Sequence, residues 1–307
     1  MQSENRSQIF DTGYEKWEGD RVPSAPSWAL IGEAGLRNVV SSSGCLGRFI
    51  FIIYLVIYYA FIIFAVFVKH QAASLAKMDF MRMIGEQLGE YLAQFSEATV
   101  HANLVARPAL GFTVLALMFY GAQLIAKDKA ANAMQVYFSK AVVTRDYLLG
   151  KYLAVSGIVA LVTLVPSALM LVLGVLFSSD FTAFMRDAWT IPISAGLVWL
   201  VLTASLGTFI LFFSSCFSKP YMASISFLGF MLFSSVGAFF LRLIFGSRDV
   251  IAGLSWSKGI LNIIDSLYTW ESFSSSLLAW QLVDLTVVCL IFVWIMVRNT
   301  RPVEVVK

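Results

Sequence analysis

Phe49–Val68 reads FIFIIYLVIYYAFIIFAVFV, twenty residues without a charge, and this stretch decides the fold. A hydrocarbon core about 30 Å thick is crossed by about 20 helical residues. Lipid offers the backbone no hydrogen-bond partner, so a segment of this length and composition has to be a helix. Five more stretches pass the same test: Ala109–Ala126, Tyr152–Phe177, Ile191–Phe213, Tyr221–Phe245 and Leu282–Val297. Pro166 removes one hydrogen bond from the third and predicts a kink there. Pro192 falls in the first turn of the fourth, where a missing N–H costs little. The fold class that follows is an all-α integral membrane protein with six transmembrane helices.

Composition agrees. The chain has 307 residues, of which 59% are hydrophobic and only 13% charged, and its mean hydropathy is +0.77. A soluble domain carries about a quarter charged residues. The net charge of +3 is too small to imply a nucleic-acid partner, and no basic run with interleaved aromatics occurs. Cys45, Cys216 and Cys289 are far apart and form no CxxC pattern, so they read as buried reduced thiols. With His70 and His101 the only histidines, no His-rich metal site is expected. The first 47 residues lack the short apolar core of a signal peptide, so the N-terminus is expected to be retained.

The basic residues set an orientation. Fourteen of the 22 Lys and Arg residues fall on the side of the two termini, with Lys127, Lys129, Lys140, Arg145 and Lys151 crowded against span ends. Eight fall on the other side. By the positive-inside rule both termini face the cytoplasm, and the chain belongs in the cell (cytoplasmic or inner) membrane.

Around the 48–298 membrane domain lie weaker elements. Residues 1–25 mix charge, Gly, Ser and Pro without periodicity and read as a mobile cytoplasmic tail; 299–307 is a second short tail. Within 26–47, Trp28, Ile31, Gly35 and Val39 share one helical stripe, with Arg37 beside it. This predicts an interfacial helix along the inner leaflet, anchored by Trp28. In the outer loop 70–105, Met81, Ile84, Leu88, Tyr91, Phe95 and Ala98 recur at gaps of three and four, predicting an outer amphipathic helix. Residues 246–280 are half apolar, Trp- and Ser-rich and broken by Gly, which suits a surface-lying or partly re-entrant outer segment.

Catalytic patterns are missing. There is no GxxxxGK[ST] phosphate cradle, no HExxH, no GxSxG and no paired carboxylates on a common face. The clustered serines read as helix-packing residues. Gln123, Arg242 and Asp284 are polar groups inside spans, where ionisable side chains pair or line a wet cavity. Arg242 and Asp284 are expected to pair near the outer mouth and tie the last two spans together.

Between spans two and three lies AKDKAANAMQVYFSKAVVTRDYLLGKYLA, residues 126–154. Ala130, Ala133, Met134, Tyr137 and Phe138 recur at helical spacing, ringed by Asp128, Asn132 and Gln135. Pattern alone leaves two readings open: a helix resting on lipid, or one that offers a Met and aromatic face to a partner's groove. The stretch ANAMQVYFSKAVVTRDYLLGK resembles the loop that identifies permease subunits of type-two ABC exporters. Asp128 stands at that family's acidic position, Val136–Ser139 at its aromatic turn, Arg145 at its basic residue and Leu148–Lys151 at its run into span three. Lys140 and Ala141 depart from the family's usual Arg and Pro.

The resemblance implies that 127–146 is a cytoplasmic coupling helix, with Asp128, Asn132, Met134, Gln135, Tyr137, Phe138 and Arg145 meeting a nucleotide-binding ATPase subunit and Arg37 adding to the contact. It implies two such ATPase copies, which bind the ATP and Mg that this chain does not. It also implies a second, identical permease copy and export of a hydrophobic or amphipathic substrate. A mechanical transmitter serving a protein on the outer face is the other reading within the same family.

Overall fold

The computed structural model of the protein describes residues 25–42, 45–75, 96–139, 142–178, 180–246, 251, 254–270 and 276–300. Among them there is no strand, and six helices are long and apolar enough to cross a membrane. In chain order the helices are α1 (Ser27–Ser42), α2 (Cys45–Leu75), α3 (Glu97–Ala130), α4 (Ala133–Ser139) and α5 (Thr144–Phe177). They continue with α6 (Phe181–Ala188), α7 (Ile191–Cys216), α8 (Pro220–Phe245), α9 (Trp256–Thr269) and α10 (Ser276–Asn299). Spans α2, α3, α5, α7, α8 and α10 are the six expected from hydropathy, each reaching past the apolar stretch that announced it. The 1–25 tail up to residue 24, the outer seam apart from Ser96–Ala98, and 301–307 lie outside the described residues.

α7 is the central post, packed by α5, α10, α8, α3 and α9. Hydrophobic burial gives helices little reason to associate inside lipid, so shape, ring contacts and hydrogen bonds have to do it. Phe209 of α7 meets Phe230 of α8, Trp256 of α9 and Phe292 of α10 edge-on at 5.2, 6.0 and 5.5 Å between ring centres. Phe212 stacks on Phe292 at 4.0 Å. Four elements are locked to one another through these rings, each pair contributing about 0.5–1.5 kcal/mol. α5 stays one helix through the buried Pro166.

α3 is not uniformly α-helical. It carries two π-helical turns, Ala102–Ala106 and Leu117–Gly121, followed by a turn at Ala122. Such a defect frees backbone groups that lipid cannot satisfy. Ser214 of α7 repairs it: its Oγ accepts from the amides of Ile125 (3.0 Å) and Ala126 (2.9 Å) and donates to the Ala122 carbonyl (2.8 Å). Ser214→Ala leaves these buried groups with one partner fewer, and about 1–3 kcal/mol of stability should be lost. A thermal melt of the detergent-purified protein measures it, with Ser234→Ala, whose hydroxyl donates to the Met231 carbonyl of its own helix, as the near-neutral control.

α1 packs closely against α5. A Cβ built at Gly150 would lie 2.7 Å from Ile31 Cβ and 2.8 Å from the Trp28 carbonyl; one at Gly35 would lie 2.8 Å from Ala154 Cβ, and one at Gly157 2.7 Å from Leu36. The contacts advance together, 28 to 36 on α1 and 150 to 157 on α5. α1 therefore runs alongside α5, backbone against backbone, through small residues at the seam. Of the predicted stripe, Ile31 and Gly35 are buried, Trp28 is 40% exposed, and the Val39 side chain lies outside the described residues.

The far end, opposite α4, holds two helices. α9 buries Ile260, Ile264 and Leu267, and Ser194 Oγ donates to the Leu267 carbonyl at 2.6 Å. Arg107 of α3 grips Asp265 through Nε (2.6 Å) and Nη2 (2.9 Å) while Nη1 donates to Asn103. Lys69 of α2 pairs with Glu97 of α3. α6 was hidden in the sequence ahead of Pro192. It is capped by Asp180, whose carboxylate accepts from the Thr182 hydroxyl and the Ala183 and Thr182 amides, which hold its pKa below the usual range. The cap therefore persists at neutral pH and is lost only as pH falls through that lowered value.

Candidate functional site

The candidate site is the 126–154 segment. α3 carries its last turn as far as Ala130, and Asn132 then takes a left-handed conformation (φ 52°), one that Asn adopts more readily than most side chains. The chain reverses, α4 follows for two turns, and Val143 is extended (ψ 149°) before α5 begins. The coupling helix expected over 127–146 is therefore interrupted, with one piece ending at Ala130 and the next running from Ala133 to Ser139. A 3.6-residue pattern persists across a break of this kind, so periodicity did not reveal it.

Asp128 is the main correction. It was expected to project from the surface, yet its Oδ2 lies 2.7 Å from Lys151 Nζ and accepts from the Tyr147 hydroxyl at 2.8 Å. The Lys151 side chain is 5% exposed and that of Asp128 18%. An isolated charge at that depth is costly; two charges with a hydrogen-bond donor are tolerated. Beside them Lys129 Nζ donates to the Ser215 carbonyl of α7. The acid at the end of α3 thus knots α3 to the second turn of α5, and its neighbour ties α3 to α7.

The aromatic residues also turn inward. Tyr137 and Phe138 are half-buried, with ring centres 5.5 and 6.1 Å from that of Tyr147, and Met134 packs on the same core. Burial, then the Asp128 carboxylate, raises the Tyr137 phenol above its ordinary pKa. The face left open consists of Asn132, Gln135, Val136 (58% exposed), Val143 (63%) and Arg145. Val136, Val143 and the knot residues Tyr147 and Lys151 were not among the expected site residues. The available signal was a lysine directly abutting the apolar run Tyr152–Phe177, which on its own marks topology.

Elsewhere Arg242 and Asp284 do not pair. Among the described residues Arg242 Nε and Asp284 Oδ2 have no hydrogen-bond partner, and no ion pair joins them. α8 and α10 each pack on α7, and they meet one another through the Phe230 and Phe292 rings, 5.4 Å between centres, rather than through these charges. Arg37 is exposed and pairs with Glu33 of its own helix at 2.7 Å. Gln123 donates back to the Phe119 carbonyl. His101 is buried against Tyr268, ring centres 5.7 Å apart. Cys216 and Cys289 are free thiols, but Cys216 is exposed at a helix end rather than buried. The described residues contain no group of three or more His, Cys, Asp or Glu able to hold a metal ion.

No family model matches the chain, and neither a curated protein nor a solved structure is significantly similar to it. What the fold defines is the class: six helices long and apolar enough to cross a bilayer give the build of a multi-pass membrane protein.

Proposed function

We propose that the chain is the permease subunit of an ATP-driven exporter, moved by a separate nucleotide-binding ATPase that grips the α4 segment on the cytoplasmic side. The observation that carries this reading is the Asp128–Lys151–Tyr147 knot. It ties α3 to α5 at the root of α4, whose Tyr137 and Phe138 rings pack on Tyr147, so a push on α4 bears on two spans at once. The cation-rich loop and the family resemblance of 131–151 support the same conclusion. A passive surface helix would have no need of a buried ion pair at its root. ATP and Mg belong to the partner, and two ATPase copies serve two copies of this chain. Only contacts that differ between ATPase states can drive the spans, and α4 is the element positioned to make them. A largely apolar interior suits a hydrophobic or amphipathic cargo.

A second reading, a transmitter that relays ATPase motion to a protein on the outer face, is favoured by one feature. α6 and its C-cap residue expose Phe181, Met185 and Trp189 at i, i+4 and i+8 on the far side. Such a stripe suits either a docking partner or the outer lipid surface.

The test uses the open face, because Asp128 and Phe138 also support the fold. Val136→Asp buries no charge at home and should lower co-purifying ATPase activity about tenfold, the effect of losing one apolar contact patch worth about 1.4 kcal/mol. Its melting temperature should match the wild type. Failure of the wild-type chain to bring down any ATPase, or equal recruitment by Val136→Asp, overturns the proposal.

A further inference from the structure

A cleft of about 840 Å3 opens between α5, α7 and α10, with Trp28 of α1 at one end. Its walls are Leu149, Leu153, Leu200, Ala204, Leu282 and Leu290, with Cys289 among them. We infer that this cleft is a binding site for one acyl chain of a phospholipid from the leaflet on the α4 side, with the lipid phosphate at Arg298. The inference needs only the membrane build of the chain and is independent of the transport proposal.

Three observations carry it. The first is length. Leu282 and Val293 bound the cleft on α10 eleven residues apart, about 16 Å at 1.5 Å per residue. This is about half of a hydrocarbon core of about 30 Å, and because the cleft sits at mid-depth on α10 a chain entering past Arg298 runs beyond the midplane. A transmembrane helix of another protein would need the whole depth, so a second copy or a helical partner does not fit.

The second is the chemistry of the walls. The Ser205 and Thr286 hydroxyls donate to the carbonyls of Val201 and Leu282 at 2.6 and 2.7 Å, and Thr208 donates to Ala204. Tyr152 is engaged with Thr208 at 2.7 Å, and the Cys289 thiol faces the Ala204 carbonyl at 3.7 Å. Apart from the buried Thr203 hydroxyl, which has no partner among the described residues, the helices satisfy these groups themselves, so a polar guest would lose its hydrogen bonds to water and gain few in return. A hydrocarbon chain loses none.

The third is the mouth. Leu290, Trp294 and Arg298 follow one another at i, i+4 and i+8, and the Arg298 guanidinium lies 4.7 Å over the Trp294 ring. The stripe leads out of the cleft to a cation in the last turn of α10, at the depth where Trp and Arg meet headgroups. Guanidinium is well shaped to hold a phosphate.

The experiment reconstitutes the full chain in phosphatidylethanolamine/phosphatidylglycerol vesicles containing a phosphatidylglycerol with a mid-chain diazirine. After photolysis, adducts are mapped by peptide mass spectrometry. They should concentrate on 199–208 and 282–293 and exceed those on the exposed face of α8. Ala204→Phe should cut the cleft adducts about tenfold, as expected for displacing two buried methylenes, and leave those on α8 unchanged. Thr286→Phe, on the opposite wall, should do the same and guards against a folding defect peculiar to one variant. Arg298→Gln should also lower cleft labelling. Adducts spread evenly over α8 and the cleft, or cleft adducts that survive both Phe variants, would overturn the site. Labelling lost in the Phe variants but unchanged in Arg298→Gln would overturn the phosphate contact.

Discussion

Lys151→Met should destabilise the purified protein by about 3–5 kcal/mol, the usual consequence of leaving one member of a buried ion pair behind. The carboxylate of Asp128 would remain 18% exposed with only the Tyr147 hydroxyl as donor. The double variant Asp128→Asn/Lys151→Met should recover most of the loss, because an amide can accept the same Tyr147 hydrogen bond and no uncompensated charge is left. A denaturant or thermal series on all four proteins of the cycle gives the coupling energy directly. Additive single-variant losses would mean that the 2.7 Å contact holds little energy. A second readout separates support of the fold from transmission. If the knot passes motion from α4 to α3 and α5, the stable double variant should recruit the ATPase normally and yet uncouple its turnover from cargo. If it is only structural, the double variant should behave as wild type in both respects.

The other large effect is expected at the α1–α5 seam. Gly150→Val places methyl groups where even a single Cβ would stand 2.8 Å from the Trp28 carbonyl, a backbone atom unable to yield by a rotamer change. α1 has to move away, at a cost of about 1–3 kcal/mol or more. Disulfide trapping measures the separation. In a background with Cys45, Cys216 and Cys289 replaced by Ser, the pair Gly32→Cys/Leu153→Cys should cross-link after a small opening of the seam, since the Cβ positions are 3.0 Å apart and a disulfide spans about 3.5–4.5 Å. Adding Gly150→Val should abolish the cross-link. Persistent cross-linking would show that α1 rides with α5 through contacts other than this one.

Much of the bundle was legible because hydropathy is a local property. Each apolar run lies within its helix, although α3 begins at Glu97 and α5 at Thr144, well ahead of theirs, and Pro192 and Pro220 sit in first turns, where a missing N–H is harmless. The site was legible only in outline. The 126–154 segment was recognisable as polar, cationic and half-amphipathic, and α4 does form there. Its inner arrangement was not. Asp128 and Lys151 are 23 residues apart with a reversal between them, and nothing in the spacing says that the carboxylate turns towards α5. The same reversal takes Tyr137 and Phe138 off the surface and leaves Val136 and Val143 on it. The expected Arg242–Asp284 tie had the opposite fault: two charges at similar depth invited a pairing, but α8 and α10 meet through the Phe230 and Phe292 rings instead.

By itself the sequence determined the kind of protein: six helices in lipid, since an uncharged run of about 20 residues has one way to satisfy its backbone there. It also determined where cations crowd the span ends. Only the tertiary structure decided which polar group meets which. Ser214 mends the π-turn of α3, Lys151 neutralises Asp128 and Gly150 admits α1. Those choices depend on how helices rotate and register against one another, which small residues and buried hydrogen bonds fix at distances that no local pattern encodes.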